Sequence, residues 1–261
     1  MKFCPLYSGS SGNSIFVASD KSRILIDAGL SGKTIEAGLK SIEETCEKID
    51  GIFITHEHSD HIKGVGILSR KYDIPIYANE LTWKAMDTKI GKVKEHNIKI
   101  MDGSYVEVGD LQIVSHGISH DAADPVGYSV YSKEKKATIA TDLGYFSEDV
   151  KKAVYDADIV LLESNHDIEM VKFGPYPYPL KKRILSEVGH LSNDACGKAI
   201  VEIMNDKPKH IVLGHLSKTN NYPDLAYKTV ENILVEEGIN IGKEIYLTMA
   251  ERDKPSKYIE L

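Results

Sequence analysis

Thr55-His56-Glu57-His58-Ser59-Asp60-His61 places three histidines and an aspartate within six positions. Neutral imidazole and carboxylate together are a donor set for zinc, manganese or iron. The apolar run Ile52-Phe53-Ile54 precedes the segment, and Ile62, Val65, Ile67, Leu68 and Tyr72 follow at near-helical spacing. The first run reads as a buried strand and the second as a helix face, so the donors sit on the turn between them. Alternate residues of a turn can splay in two directions, which lets one segment feed two metal positions. A solvated, His-rich loop is the other reading. Polar tracts do not usually sit tight between a buried strand and an apolar helix, which argues against it.

Other polar groups stand where apolar runs end. Arg23 to Ile26 is a strand closed by Asp27-Ala28-Gly29. Val114 to Asp121 puts His116 and His120 after a strand, and Ala137 to Ala140 runs into Thr141-Asp142-Leu143-Gly144. Taken alone, an aspartate before such a turn is usually only a turn residue. Ile159 to Leu162 ends at Glu163-Ser164-Asn165-His166, and His210 to Leu213 ends at Gly214-His215-Leu216-Ser217. Gly189-His190-Leu191-Ser192-Asn193 precedes a helix over 194–204, with Ser192 or Asn193 as its cap.

The elements between these points are legible from periodicity and turn residues. Residues 3–8 and 14–19 form a hairpin around Ser8-Gly9-Ser10-Ser11-Gly12-Asn13. That loop is either a plain turn or one whose amides and hydroxyls face a phosphate. Helices are predicted over 34–42, from 81, and over 149–155 and 225–236. Strands are predicted over 75–78, within 98–113, and over 126–130 and 245–249. Lys172 to Pro179, with Pro175-Tyr176-Pro177-Tyr178-Pro179 at its centre, reads as an inserted loop because regular elements resume on both sides. Lys181-Lys182-Arg183 is either a solvated helix face or a phosphate contact.

A chain of 261 residues with 42% apolar and 27% charged residues suits a soluble globular protein able to bury its own core. Cys4, Cys46 and Cys196 are far apart, which argues against a disulfide framework and for a reducing compartment. No leader-like or membrane-spanning apolar run is evident, so a cytoplasmic location without membrane association is expected. The net charge of −7 does not advertise a nucleic-acid binder, although two divalent ions in a site would offset part of it locally.

The pattern His-x-His-x-Asp-His at 56–61 resembles the signature of the metallo-β-lactamase superfamily. That resemblance implies an α/β fold, a four-layer αββα sandwich formed by residues 1–261 as one domain. It implies that His56, His58 and His120 hold one divalent ion, with His120 favoured over His116. Asp60, His61 and His215 hold a second, and Asp142 bridges the two. Asp27 orients the donor loop without binding metal. Zinc or manganese is the expected metal, with iron a further option. Two such ions share a bridging water, lower its pKa and clamp a phosphoryl oxygen.

Glu163, Gly189-His190-Leu191-Ser192 and Gly214-His215-Leu216-Ser217 resemble parts of the tRNA 3′-processing nucleases of that superfamily, where a Glu–His pair helps protonate the leaving oxygen. From Tyr7–Asn13 through Gly174-Pro175-Tyr176-Pro177 to Leu216–Asn221, nearly the whole chain is similar to the YycJ/WalJ/VicX family. The resemblance implies a bacterial cytoplasmic protein with 5′-to-3′ DNA exonuclease activity. Asp60, Glu163 and His190 are then the expected catalytic residues. Ser10, Ser11, Asn13, Lys181, Arg183 and Ser192 are the expected substrate contacts. A small-molecule or cyclic phosphodiesterase and an RNA-processing nuclease are the enzymatic alternatives. A metal-binding regulatory protein without hydrolysis is the alternative of another class.

Overall fold

A computed structural model describes residues 1–103 and 105–261. Short β-rich runs at the start give β1 (Lys2–Tyr7), β2 (Ser14–Ala18) and β3 (Arg23–Ile26), an antiparallel meander. Helix α1 (Gly32–Ser41), capped by the Ser31 hydroxyl, crosses to β4 (Gly51–Phe53). Strands β5 (Ile76–Ala78) and β6 (Ile98–Ile100) extend the sheet in parallel. Their crossovers carry α2 (Ser59–Ile62), α3 (Val65–Tyr72) and α4 (Glu80–Ile90).

The second half repeats this plan. Strands β7 (Val106–Val108), β8 (Leu111–Gly117), β9 (Val126–Ser132) and β10 (Lys135–Ala140) pair antiparallel. Strands β11 (Ile159–Glu163), β12 (Lys209–Gly214) and β13 (Ile245–Met249) continue in parallel. The helices of this half are α5 (Glu148–Tyr155), α6 (Ile168–Phe173), α7 (Tyr178–Ile184), α8 (Asn193–Glu202) and α9 (Pro223–Glu236). A last short strand, β14 (Ile259–Glu260), returns to pair with β1.

The sheet orders are β14-β1-β2-β3-β4-β5-β6 and β13-β12-β11-β10-β9-β8-β7. Phe3, Ile15, Ile24 and Phe53 of one sheet pack on Ile113, Tyr128, Ile139 and Leu161 of the other. A second cluster lies under α1, α3 and α4, and a third under α5, α8 and α9. Helix, sheet, sheet and helix therefore stack in the four layers the sequence implied. Both faces of each sheet are covered, which is why strands such as β2 and β11 read as unbroken apolar runs.

Three local readings change. Asp60 and His61 lie inside the short helix α2, whereas His56 and His58 stand on the turn before it. The loop expected over 172–179 shrinks to 174–177: Asp167 caps α6, through the Met170 amide, and α6 runs to Phe173, while Tyr178 and Pro179 already begin α7. β14 pairs over two residues, too few to leave a periodic trace. No helix among the described residues is long and apolar enough to cross a membrane.

Phe53 locks the two sheets together. Its ring stacks on Tyr77 at 4.4 Å between centroids and meets the edge of Tyr128 at 5.7 Å. Phe53→Ala should cost about 3–5 kcal/mol, the usual loss for a buried phenylalanine. Urea denaturation should show a lower midpoint with an unchanged slope. A loss under about 1 kcal/mol would mean that the sheets do not depend on this contact.

Candidate metal centre

The polar strand ends converge on one edge of the sandwich. The carboxyl ends of β3 and β4 deliver Asp27 and the 55–61 loop, and those of β8, β10, β11 and β12 deliver His120, Asp142, Glu163 and His215. His190 arrives from the loop between α7 and α8. Donor atoms of His56, His58 and His120 lie within 4.8 Å of one another, as do those of Asp60, His61 and His215. Asp142 lies between the two groups: its Oδ1 is 3.7 Å from His120 Nε2 and 3.5 Å from His215 Nε2, and its Oδ2 is 3.4 Å from His61 Nε2. Asp142 Oδ2 and His215 Nε2 are buried without a hydrogen-bond partner among the described residues. Buried polar atoms ordinarily find partners, and an imidazole nitrogen beside a carboxylate oxygen in this state suits a divalent cation. The residues present therefore fit such an ion.

Hydrogen bonds fix which ring nitrogen faces the centre. Asp27 accepts from the Thr55 amide and hydroxyl at 2.9 and 2.8 Å, and its Oδ2 is 2.8 Å from His61 Nδ1. His61 Nε2 is thereby turned inward. His120 Nδ1 meets the Gly189 carbonyl at 3.1 Å, which turns its Nε2 inward as well. Glu163 carries the largest burden. Its Oε1 is 2.7 Å from His215 Nδ1 and 2.9 Å from His190 Nδ1, and its Oε2 accepts the Leu143 and Leu191 amides at 2.6 and 3.1 Å. Burial alone would raise its pKa, but the His190 charge and the hydrogen bonds from His190 and His215 hold the carboxyl well below its usual range.

Three of the six non-glycine described residues with positive φ lie at the same place. Asp27, Asp142 and His215 adopt φ of +61°, +59° and +55°. Such values are uncommon outside glycine and cluster at functional sites. Two glycines allow the loops to close on each other. A Cβ at Gly29 would lie 1.6 Å from the Asp60 carbonyl oxygen, and one at Gly144 would lie 1.9 Å from that of Glu187.

The remaining expected residues separate. Asn13 reaches the centre, with Nδ2 3.1 Å from His61 Nε2 and Oδ1 accepting the Gly9 amide. Ser10 and Ser11 form the exposed tip of that loop. Arg183 stands at the rim, paired with both oxygens of Asp121 at 2.5 and 2.7 Å, and Asp121 Oδ1 is 3.5 Å from His120 Nε2. Lys181 donates to the Lys172 carbonyl at 2.8 Å. The Ser192 hydroxyl caps α8 through the Ala195 amide. His116 lies on β8 against Gly127, apart from the donor groups. Sequence reasoning missed Ser8, whose hydroxyl accepts the His215 amide, and Asn165, whose side chain donates to the His215 carbonyl. It also missed Thr55, although its place directly before His56 was a usable signal.

Two face-to-face sheets with imidazole and carboxylate donors gathered at their shared edge define a metal-dependent hydrolase scaffold. Residues 22–216 match the beta-lactamase superfamily domain. The chain is 43% identical over 258 residues to exodeoxyribonuclease YycJ of Bacillus anthracis, covering 98% of each chain. It is 45% identical over 244 residues to exodeoxyribonuclease WalJ of Streptococcus pneumoniae strain D39, covering 92% of this chain and 91% of the relative. Among solved structures, the metallo-beta-lactamase fold protein YhfI from Bacillus subtilis superposes with a TM-score of 0.73 at 14% identity, covering 98% of this chain and 99% of that one. The chain belongs to the beta-lactamase superfamily and, within it, to the YycJ/WalJ family.

The donor pattern has a pH signature. Burial alone would lower His61, but the carboxylates of Asp27, Asp142 and Asp60 outweigh it and push its pKa up to about 9. His215 is likewise raised, burial being outweighed by Asp142, Asp60 and Glu163. For His61, the ion pairs stabilise the metal-stripped fold fully below the unfolded histidine value of about 6.5. That contribution is lost as pH rises through about 9. The melting midpoint of chelator-stripped protein should therefore fall across that window. Added zinc or manganese should raise it and reduce the pH dependence, because cation and proton compete for the same ring atoms. A stripped protein equally stable throughout would show that these pairs do not form.

Proposed function

We propose that this chain is a two-metal phosphodiesterase acting on DNA, an exonuclease working in the 5′-to-3′ direction implied by its family resemblance. The observation that carries this reading is Asp142, whose carboxylate lies 3.4–3.7 Å from imidazole nitrogens of both donor groups. The names of its full-length relatives, exodeoxyribonucleases YycJ and WalJ, support the substrate class. His56, His58 and His120 would hold one ion, Asp60, His61 and His215 the other, and Asp142 both. Zinc or manganese suits this mixture of imidazole and carboxylate. Bound there, the ions would supply an activated water and neutralise charge on the phosphoryl oxygens.

The chain's own residues do the rest. Asp27 and Glu163 hold His61 and His215 in the tautomer that presents Nε2. In this reading Asn13, with Ser10 and Ser11, meets a phosphate on the Asp60 side, and Arg183 meets one at the rim. His190 keeps Nδ1 on Glu163 and has Nε2 available to protonate the leaving oxygen. An alkoxide expelled from DNA needs that proton, whereas a nitrophenolate scarcely does.

Protein purified without chelator should contain about two transition-metal ions per chain by elemental analysis. Asp142→Ala should lose both. Metal content near zero after reconstitution would remove the basis of this reading. End-labelled single- and double-stranded DNA and RNA, resolved by length, tests substrate and direction, and stepwise loss from the 5′ end of DNA is expected.

His190→Ala should slow DNA cleavage by about 10²–10⁴-fold with metal retained. Hydrolysis of a nitrophenyl phosphodiester should change much less. Equal loss on both substrates would exclude proton donation by His190.

A further inference from the structure

Among the described residues, no large apolar side chains are more exposed than Phe173, at 83%, and Tyr178, at 78%. Both lie on the α6–α7 hairpin. A single exposed ring is ordinary, but two of them on one short hairpin beside lysines form a combined aromatic and cationic surface. The hairpin also carries Lys172, Lys181, Lys182 and Arg183 against a single acid, Glu169, in a chain whose net charge is −7. Lys172 pairs with Glu169 at 2.9 Å and Arg183 with Asp121 at 2.5 Å, which leaves Lys181 and Lys182 as the hairpin cations without a carboxylate partner among the described residues. A cavity of about 460 Å³ opens between Lys172, Tyr178, Lys181 and Lys182. A neighbouring groove of about 410 Å³ has Phe173, Pro175 and Thr219 on its walls. Asp167 and Glu169 also line that groove.

The hairpin is tied to the candidate centre. Arg183, on α7, grips Asp121 beside His120, and the carbonyl of Ile184 accepts the amide of His190. Tyr178 precedes Arg183 by five residues on the same helix. That separation is about 7–8 Å along the axis, at 1.5 Å per residue. It corresponds to about two stacked nucleotides at 3.4 Å each. Aromatic and cationic side chains on one hairpin, joined through Arg183 and Asp121 to the candidate centre, are what an unpaired strand requires. Bases stack on the rings regardless of sequence, and phosphates meet the ammonium groups. A protein partner would use the aromatics but would leave the excess positive charge unexplained.

We propose that the α6–α7 hairpin is a stacking platform for the unpaired end of a DNA strand, with Tyr178 and Phe173 taking bases and Lys181 and Lys182 taking phosphates. This deepens the nuclease reading and rests on it. It implies that a duplex end must fray before it reaches the centre.

The test is fluorescence anisotropy of the metal-loaded protein with a phosphorothioate oligothymidylate of about 20 nucleotides, against a blunt duplex of the same length. The double variant Phe173→Ala, Tyr178→Ala should weaken single-strand binding about tenfold or more, in line with base–aromatic stacking. Tyr178→Trp should retain binding, since it keeps a π-face. Lys182→Glu should make the salt dependence shallower by about one released ion for each phosphate it no longer neutralises. The double variant's kcat/KM on single-stranded DNA should also fall about tenfold relative to its kcat/KM on a thymidine nitrophenyl phosphodiester.

Unchanged single-strand affinity in the double variant would overturn the platform. So would Tyr178→Trp binding no better than Tyr178→Ala. A self-association seen by light scattering in the wild type and abolished by the double variant, with DNA binding intact, would reassign the patch to a second copy of the chain. Binding is read apart from cleavage. A wild type that binds the oligonucleotide but cleaves no DNA would defeat the nuclease reading and still allow the platform to be judged.

Discussion

A carboxylate with no exposed surface cannot stay ionised without partners, and Glu163 has four. Two are backbone amides, from the loop after β10 and the loop before α8, and two are imidazole nitrogens. One side chain therefore sets the distance between three loops that are remote in sequence. The arrangement is self-consistent only with all four contacts present. Losing any one leaves a buried donor or a buried charge unpaired, at a cost of several kcal/mol for the charge. That is a stronger constraint than the packing around it, because apolar contacts can relax by fractions of an ångström and an unpaired carboxylate cannot. The first sheet uses the same device at smaller scale. Asp27, also buried, gathers Thr55 and His61 in the way that Glu163 gathers His190 and His215.

These two carboxylates explain why strain is tolerated where it is. Left-handed backbone at Asp27, Asp142 and His215 costs about 1–3 kcal/mol each. It persists because the surrounding hydrogen bonds over-determine the positions. The close approaches at Gly29 and Gly144 belong to the same economy of space. The loops press together so that side chains from different strands can share one small volume.

Much of this was legible in the sequence. The donor-rich segment 56–61 announces itself because its residue types have few uses other than metal. Asp142 and His215 are ambiguous alone and become readable only through their order along the chain and the strands before them. The four layers follow from two rounds of strands and amphipathic helices. Glu163 reads as a partner of His190, but its contact with His215 depends on the register of β11 against β12, where Glu163 pairs with Gly214. No periodicity encodes that register. Ser8 and Asn165 escape notice for a similar reason, since their partner is the backbone of a residue far away in the chain. The helical character of 168–184 is masked by its prolines, which signal a break unless the helix start they favour is recognised.

Each donor group draws members from both halves of the sandwich: His56 and His58 with His120, and Asp60 and His61 with His215. On the ribosome this has a consequence in time. His215 emerges about 150 residues after His61, roughly 8–30 s later at 5–20 residues per second. His120 emerges about 60 residues after His61, so for the first part of that interval the whole 56–61 segment is a set of open donors, and for all of it Asp60 and His61 lack His215. By the general affinity order of divalent ions, copper would outcompete zinc or manganese for such a fragment. The cation first met during synthesis is thus a poor guide to the one finally held. Any selection among metals would fall to the second half of the chain, which supplies the remaining donors last.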